Sequence, residues 1–175
     1  YKIEAYKVNH RVTCYGYRIS IERKGKFDVD RAKELDIPLK YWNRLQHGES
    51  IDTGEKLYTP DMVMGEARKG IKVNYCTDTR PENIIADYAK GCDLFICEGM
   101  YGEDDKDANA KGYKHMTMLE AANLGRIANP KRMWLTHYSP SLNHPEEYID
   151  ELKKVFPGIR AARDGWSVEL GYEDE

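Results

Sequence analysis

The chain has 175 residues and a formal net charge of −3, from 27 lysines and arginines against 30 aspartates and glutamates. With 41% hydrophobic and 33% charged residues and a mean hydropathy of −0.76, it has enough apolar side chains for a core and no long apolar run. This composition excludes an intrinsically disordered chain, a collagen-like chain and a membrane-spanning chain. The length suits one ordinary domain.

The first residues alternate between apolar and polar side chains. Residues 1–9 and 15–22 are rich in β-branched and aromatic residues at a period of two, which predicts two strands. Residues 23–54 change to a charged, amphipathic character with two short helices predicted at 29–35 and 39–46. We interpret 23–54 as a helical arm that leaves the sheet.

The rest of the chain alternates between strand and helix patterns, which is typical of an α/β fold. The loop predicted at 99–112 is rich in Gly and Asp. Strands are predicted at 71–77, 93–98, 132–136, 160–162 and 166–170, and helices at 81–90, 117–128 and 145–156.

The four cysteines show no C-x-x-C pair and lie in or beside apolar, strand-like runs. This pattern favours buried, reduced thiols over disulfides and predicts a cytoplasmic protein. The cysteines are Cys14, Cys76, Cys92 and Cys97.

Four polar residues stand at the ends of apolar strands, where loops of α/β proteins gather ligands. They are His10, Asp78, Glu98 and His137. Taken singly, each fits a capped turn or a surface side chain. Together, two histidines and an aspartate also fit a divalent metal site, because imidazole and carboxylate suit zinc, manganese or iron. The spacing alone leaves both interpretations open.

The other histidines lie in loops. His115 follows a Gly-flanked polar stretch just before the helix predicted at 117–128, whereas His47 and His144 have the pattern of surface residues.

Five short segments, taken in order, resemble the ribonuclease Z family of the metallo-β-lactamase superfamily. They are His10 ahead of Cys14-Tyr-Gly-Tyr-Arg-Ile, then Thr77-Asp-Thr-Arg80, Cys97-Glu-Gly-Met100, His115-Met-Thr117 and Leu135-Thr-His-Tyr-Ser139. The resemblance runs along nearly the whole chain but covers only the second half of that family's fold. It implies an α/β fold that is half of a metallo-β-lactamase αβ/βα sandwich with a helical arm, residues 1–175 being the C-terminal part of that domain.

The resemblance also implies residue roles. His10 matches a ligand of a first metal, Asp78 a carboxylate that bridges two metals, and His137 a ligand of the second. His115 with Glu98 matches a pair that assists proton delivery to the leaving group. Residues 23–54 match an arm that grips tRNA. The family's H-x-H-x-D-H motif is absent, so we expect a missing N-terminal half and no activity without it.

The function implied is that of a cytoplasmic, homodimeric, zinc-dependent phosphodiesterase that removes 3′ trailers from tRNA precursors, with two zinc ions in a complete site and no membrane partner. A metallo-β-lactamase-fold hydrolase of small phosphodiesters or other esters is an alternative. The family's Arg-Tyr pair is replaced by Pro140 to Leu142 and the arm lacks its Gly-Pro, and both departures favour this alternative. A non-catalytic binding module is a third possibility.

Overall fold

The computed structural model describes residues 1–102 and 107–173, without the side chain of Asp107. The chain forms two compact units. The first combines Tyr1–Ile21 with Ile71–Glu175, and the second is Glu22–Gly70. The second unit therefore contains the predicted arm 23–54 and extends beyond it.

A mixed six-stranded sheet runs through the first unit, in the order β1-β2-β5-β6-β7-β8. The pair β1 and β2 is antiparallel, whereas β5 to β8 pair in parallel through helical crossovers. The strands are β1 (Lys2–Val8), β2 (Cys14–Arg23), β5 (Arg68–Cys76), β6 (Leu94–Glu98), β7 (Met133–Thr136) and β8 (Ile159–Ala161), with the short β3 (Ile51–Asp52) and β4 (Leu57–Tyr58) in the second unit.

The described part of the chain contains six α-helices. They are α1 (Val29–Glu34), α2 (Leu39–Gln46), α3 (Asn83–Ala89), α4 (Asp107–Tyr113), α5 (Met118–Ala128) and α6 (Ile149–Val155). Helix α5 begins with a capping box between Thr117 and Glu120, and the left-handed Asn129 ends it. Before α6, Pro145–Tyr148 forms a 3₁₀ turn, so the single helix predicted at 145–156 has two parts.

Two predictions of local structure were wrong. Residues 107–113 form α4 although the loop prediction covered 99–112, because their Ala and Lys residues favour a helix despite Gly112. Residues 103–106 of that prediction lie outside the described part of the chain. Residues 166–170 alternate like a strand but pair with no strand among residues 1–102 and 107–173, and a strand exists only where a neighbour completes its hydrogen bonds.

The core of the first unit lies between the sheet and the helices α3, α5 and α6. Phe95, Met133 and Leu135 are fully buried there. Gly125 of α5 allows close approach to the sheet, since a Cβ on it would lie 2.5 Å from the Met133 sulfur.

The opposite face of the sheet carries apolar side chains that remain exposed. Ile3 and Ile19 face each other across β1 and β2, and Tyr15, Tyr17 and Tyr75 are also more than 40% exposed. A face of this kind marks an interaction surface.

The second unit has its own small core. Helices α1 and α2 pack with the β3-β4 pair around buried apolar residues, namely Ala32, Ile37, Leu45, Ile51, Tyr58 and Val63. Its two ends meet, because the Gly65 N–H donates to the Lys26 carbonyl at 2.9 Å. The unit is therefore a folded insertion.

All four cysteines are free thiols, as predicted. None of the helices in the described part of the chain combines the length and the apolar character needed to cross a membrane.

Candidate metal and proton-transfer site

The chemically active side chains of the first unit gather at one edge of the sheet. Strands β5, β6 and β7 run parallel and end at Cys76, Glu98 and Thr136, so Asp78, Glu98 and His137 come to the same edge. His10 reaches this edge from the turn between β1 and β2, and His115 from the turn between α4 and α5.

Three of these side chains form a cluster that can hold a metal ion. One ligand atom each of His10, Asp78 and His115 lies within 4.8 Å of the others. His137 joins them through its Nε2 atom, which lies 2.9 Å from Asp78 Oδ1. The donor set of imidazoles and one carboxylate fits zinc or a similar divalent ion.

The structure brings the three predicted ligands together and places a further candidate among them. His10, Asp78 and His137 were expected, whereas His115 was assigned to proton transfer alone. The centroid of its ring lies 4.8 Å from that of the His10 ring and 5.4 Å from that of the His137 ring, so His115 neighbours both histidines. His115 thus belongs to the ligand cluster and to the Glu98 pair at once.

Two residues of the cluster have a strained backbone. Asp78 and His137 adopt φ values of 56° and 58°, in the left-handed region that costs energy for residues other than glycine. Each lies one or two residues beyond the end of its strand. The two side chains meet, with Nε2 of His137 2.9 Å from Oδ1 of Asp78.

Glu98 is fully buried beneath the cluster and has a partner for each of its carboxylate oxygens. Oε1 accepts the Thr79 N–H at 2.5 Å, and Oε2 accepts the Met116 N–H at 3.2 Å. Oε2 also lies 3.0 Å from Nδ1 of His115. The carboxylate therefore fixes the His115 ring and leaves Nε2 as the ring atom for a substrate or a metal.

Burial shifts the pKa of both members of this pair toward their neutral forms. Desolvation raises the pKa of Glu98 from 4.5 to about 8, although the two backbone N–H donors act in the opposite direction. Desolvation, followed by the charges of His10 and His137, lowers the pKa of His115 from 6.5 to about 4. At neutral pH the pair favours a protonated carboxyl group beside a neutral imidazole.

Arg80 is the residue of this site that sequence reasoning missed. Its Nη1 atom donates to the His115 carbonyl at 2.5 Å and to Glu120 Oε2 at 3.0 Å, and Nη2 pairs with the other Glu120 oxygen. Its backbone N–H donates to the Asn9 carbonyl at 3.0 Å. Arg80 therefore joins the loops of His10, Asp78 and His115. The only signal in the sequence was its place in the Thr77-Asp-Thr-Arg80 segment.

The two histidines predicted at the surface lie outside the cluster. His47 is exposed in the second unit and His144 is exposed at the start of the 3₁₀ turn, 3.6 Å from Glu146. Neither was expected to act, and neither contacts the site residues described above.

No model of a known protein family matches the chain. Individual proteins do match it. A ribonuclease Z of Lachnospira eligens is 62% identical over 175 residues, which is 100% of this chain and 58% of that protein. A ribonuclease Z of Lachnoclostridium phytofermentans is 50% identical over 173 residues, 99% of this chain and 57% of that protein. The chain thus spans a little over half the length of these relatives.

Solved structures match the architecture. A metallo-β-lactamase-fold protein, YhfI of Bacillus subtilis, aligns with a TM-score of 0.58 and 20% identity over 94% of this chain and 47% of its own. The short form of human tRNase Z aligns with a TM-score of 0.54 and 15% identity over 97% of this chain and 43% of its own. The chain therefore shares its ancestry with the ribonuclease Z proteins and has part of the metallo-β-lactamase fold, as its motifs predict.

Proposed function

We propose that this chain is part of a metal-dependent phosphodiesterase that cuts tRNA precursors and removes their 3′ trailers. The observation that carries the proposal is the convergence of His10, Asp78 and His115 within 4.8 Å, beside the buried Glu98. Similarity along nearly the whole of this chain to part of proteins named ribonuclease Z supports the choice of substrate.

In this proposal His10, Asp78 and His137 hold divalent metal, with zinc favoured over manganese or iron, and Nε2 of His115 is kept for proton transfer. A bound divalent ion would neutralise charge on the phosphate and supply a nucleophile at neutral pH. These side chains are too few for two ions of ordinary coordination. We therefore propose that activity also needs ligands from residues beyond these 175.

The proton for the leaving 3′ oxygen comes from the Glu98 and His115 pair. The raised pKa of Glu98 keeps one proton on the pair at neutral pH. When Nε2 of His115 gives its proton to the leaving oxygen, the Glu98 proton moves to Nδ1 across 3.0 Å. The pair ends as a carboxylate beside a neutral imidazole, so no isolated imidazolium has to form in a half-buried site.

The second unit is proposed to bind the body of the tRNA. It has its own core, and Arg23, Lys24 and Arg68 line a polar hollow within it. Cationic side chains of this kind bind the phosphate backbone of nucleic acids. The predictions of a homodimer and of a cytoplasmic location complete the proposal, and sedimentation of the intact protein tests the first.

The test compares two substrates with the intact protein. The proposal is supported if the protein cleaves a tRNA precursor at the 3′ end of the tRNA. A chelator should abolish this cleavage and added zinc should restore it. Replacing residues 27–64 by a short Gly-Ser linker between Lys26 and Gly65 should reduce tRNA cleavage far more than hydrolysis of a bis-aryl phosphodiester. Turnover of the small diester without any tRNA cleavage would favour the small-ester alternative, and failure to bind zinc would favour the binding module.

A further inference from the structure

A basic cavity lies directly beside His10, and its cations have no role in the mechanism above. The cavity has a volume of about 540 Å³ and is lined by Lys7, His10, Arg11 and Lys114 among others, with Glu82 as the acidic member. The charge balance of these side chains, three cations against one carboxylate, contrasts with the net charge of −3 of the whole chain.

The lysines and the arginine of this cavity have no carboxylate partner in the part of the chain that the structure describes. Among residues 1–102 and 107–173, Lys7, Arg11 and Lys114 form no ion pair with a carboxylate within 4.0 Å. Arg11 instead donates to the Gly112 carbonyl at 2.6 Å, and Lys114 Nζ lies 3.4 Å from the His10 carbonyl. Carbonyl contacts orient these side chains without cancelling their charge, which leaves them available to an anion.

The aromatic ring of Tyr113 lies beside one of these cations, Arg11. The Arg11 guanidinium lies 4.8 Å from the centre of the Tyr113 ring, and the tyrosine is 53% exposed. Exposed aromatic rings beside cationic side chains are the arrangement with which proteins hold single-stranded nucleic acid, because the ring stacks on a base and the cation meets the backbone.

The cavity is also tied to the candidate metal site. His10 Nδ1 lies 3.0 Å from the Lys114 carbonyl, and the next residue, His115, belongs to the ligand cluster. An RNA strand whose backbone crosses the metal site therefore has the cavity beside its neighbouring phosphates.

We propose that Arg11, Lys114 and Lys7 form a binding subsite for the phosphodiester backbone of a single RNA strand next to the scissile phosphate, with Tyr113 stacking on an adjacent base. This inference rests on the proposed function. It adds to that function a binding subsite whose residues have no role in the steps described above. The ligand is the unpaired RNA that flanks the cut, and not the folded body of the tRNA.

The experiment measures kcat/KM for a tRNA precursor against salt concentration with the intact protein. Each phosphate contact to single-stranded RNA contributes about 0.7 to the slope of log(kcat/KM) against log[salt]. Arg11→Gln should raise KM about tenfold and reduce the slope by about 0.7. Lys7→Gln should have the same direction of effect, and Tyr113→Leu should raise KM while leaving the slope unchanged, because it removes stacking without charge.

Arg126→Gln is the matched control, since it removes the same charge from an exposed position at the far end of α5. It should leave both KM and the slope as in the unmodified protein. Thermal unfolding of each variant reports whether Arg11→Gln acts by loosening its contact to Gly112. A lower melting temperature with an unchanged salt slope would overturn the subsite and make Arg11 a structural residue.

The bis-aryl phosphodiester separates this inference from the function on which it rests. Arg11→Gln should lower kcat/KM more for the tRNA precursor than for the diester, which has no neighbouring phosphate. Equal losses on both substrates would overturn the subsite. A protein that cleaves the diester but no tRNA precursor, with or without Arg11, would instead overturn the proposed function.

Discussion

Nδ1 of His115 lies 3.0 Å from Oε2 of Glu98, a carboxylate with no exposed surface. Burial reverses the usual order of the two pKa values in this pair, because it raises the pKa of Glu98 to about 8 and lowers that of His115 to about 4. A glutamate that holds its proton at neutral pH beside a histidine that does not is an arrangement suited to proton transfer.

The first prediction concerns stability against pH in the metal-free protein. The folded state keeps a proton on Glu98 up to a pKa of about 8, whereas the unfolded chain releases it near 4.5. The free energy of unfolding should therefore fall as pH rises through this window, by up to about 1.4 kcal/mol per pH unit. Below pH 6.5 the lowered pKa of His115 acts in the opposite direction, so the effect of Glu98 is cleanest between 6.5 and 8.

Urea unfolding in the presence of a chelator checks this prediction. The slope between pH 6.5 and 8 should flatten in Glu98→Gln, which cannot ionise. An identical slope in both proteins would mean that Glu98 is already ionised at pH 6.5 in the folded state.

The second prediction concerns metal binding. Asp78→Ala should lower zinc affinity more than His137→Ala, because Asp78 is shared by the cluster and by the His137 contact. Removing a residue that only hydrogen-bonds a metal ligand typically lowers metal affinity 10- to 100-fold. Removing a ligand itself should lower the affinity by more. Calorimetric titration of the intact protein with zinc measures both. His144→Ala removes an exposed histidine elsewhere and should bind zinc like the unmodified protein.

The third prediction concerns Arg80, whose side chain is only 15% exposed. Arg80→Met leaves the His115 carbonyl and Glu120 without their charged donor and should cost about 2 kcal/mol of stability. It should also lower kcat with little change in KM, because it releases the main chain of His115 rather than a substrate contact. Arg80→Lys restores one donor and should recover part of kcat.

Arg18→Met is the control for this effect, since Arg18 forms a comparable pair with Glu4 at 2.5 Å in another part of the first unit. It should lower stability without lowering kcat. If both variants reduced kcat in proportion to their loss of stability, Arg80 would have no positioning role.

The fourth prediction concerns the thiols. Burial raises the pKa of Cys76 to about 12 and that of Cys92 to about 11, and Cys97 is shifted upward as well. Only Cys14 is partly exposed. Iodoacetamide at pH 8 should therefore label Cys14 at most in the folded protein, and all four thiols of this chain in denaturant. Fast labelling of Cys97 without denaturant would show that the sheet opens locally.

The sequence predicted the framework of the first unit because its signals are local. Period-two alternation placed β1 and β2 to within a residue or two, and the helix predicted at 117–128 begins one residue before α5 does. The resemblance of its motifs also identified the fold that the structural comparison confirms. Local patterns failed at 166–170, where alternation is present but no described residue forms a partner strand, since pairing depends on residues distant in the sequence.

The sequence by itself determined which side chains with acid, base and ligand chemistry stand at the ends of strands. Only the tertiary structure decided that His115 lies between His10 and His137, that Glu98 is fully buried beneath it, and that Arg80 joins three loops. The physical reason is that strand order and parallel pairing bring ends together across separations of 17 to 104 residues. Burial, and with it the pKa of the Glu98 and His115 pair, exists only after those ends have met.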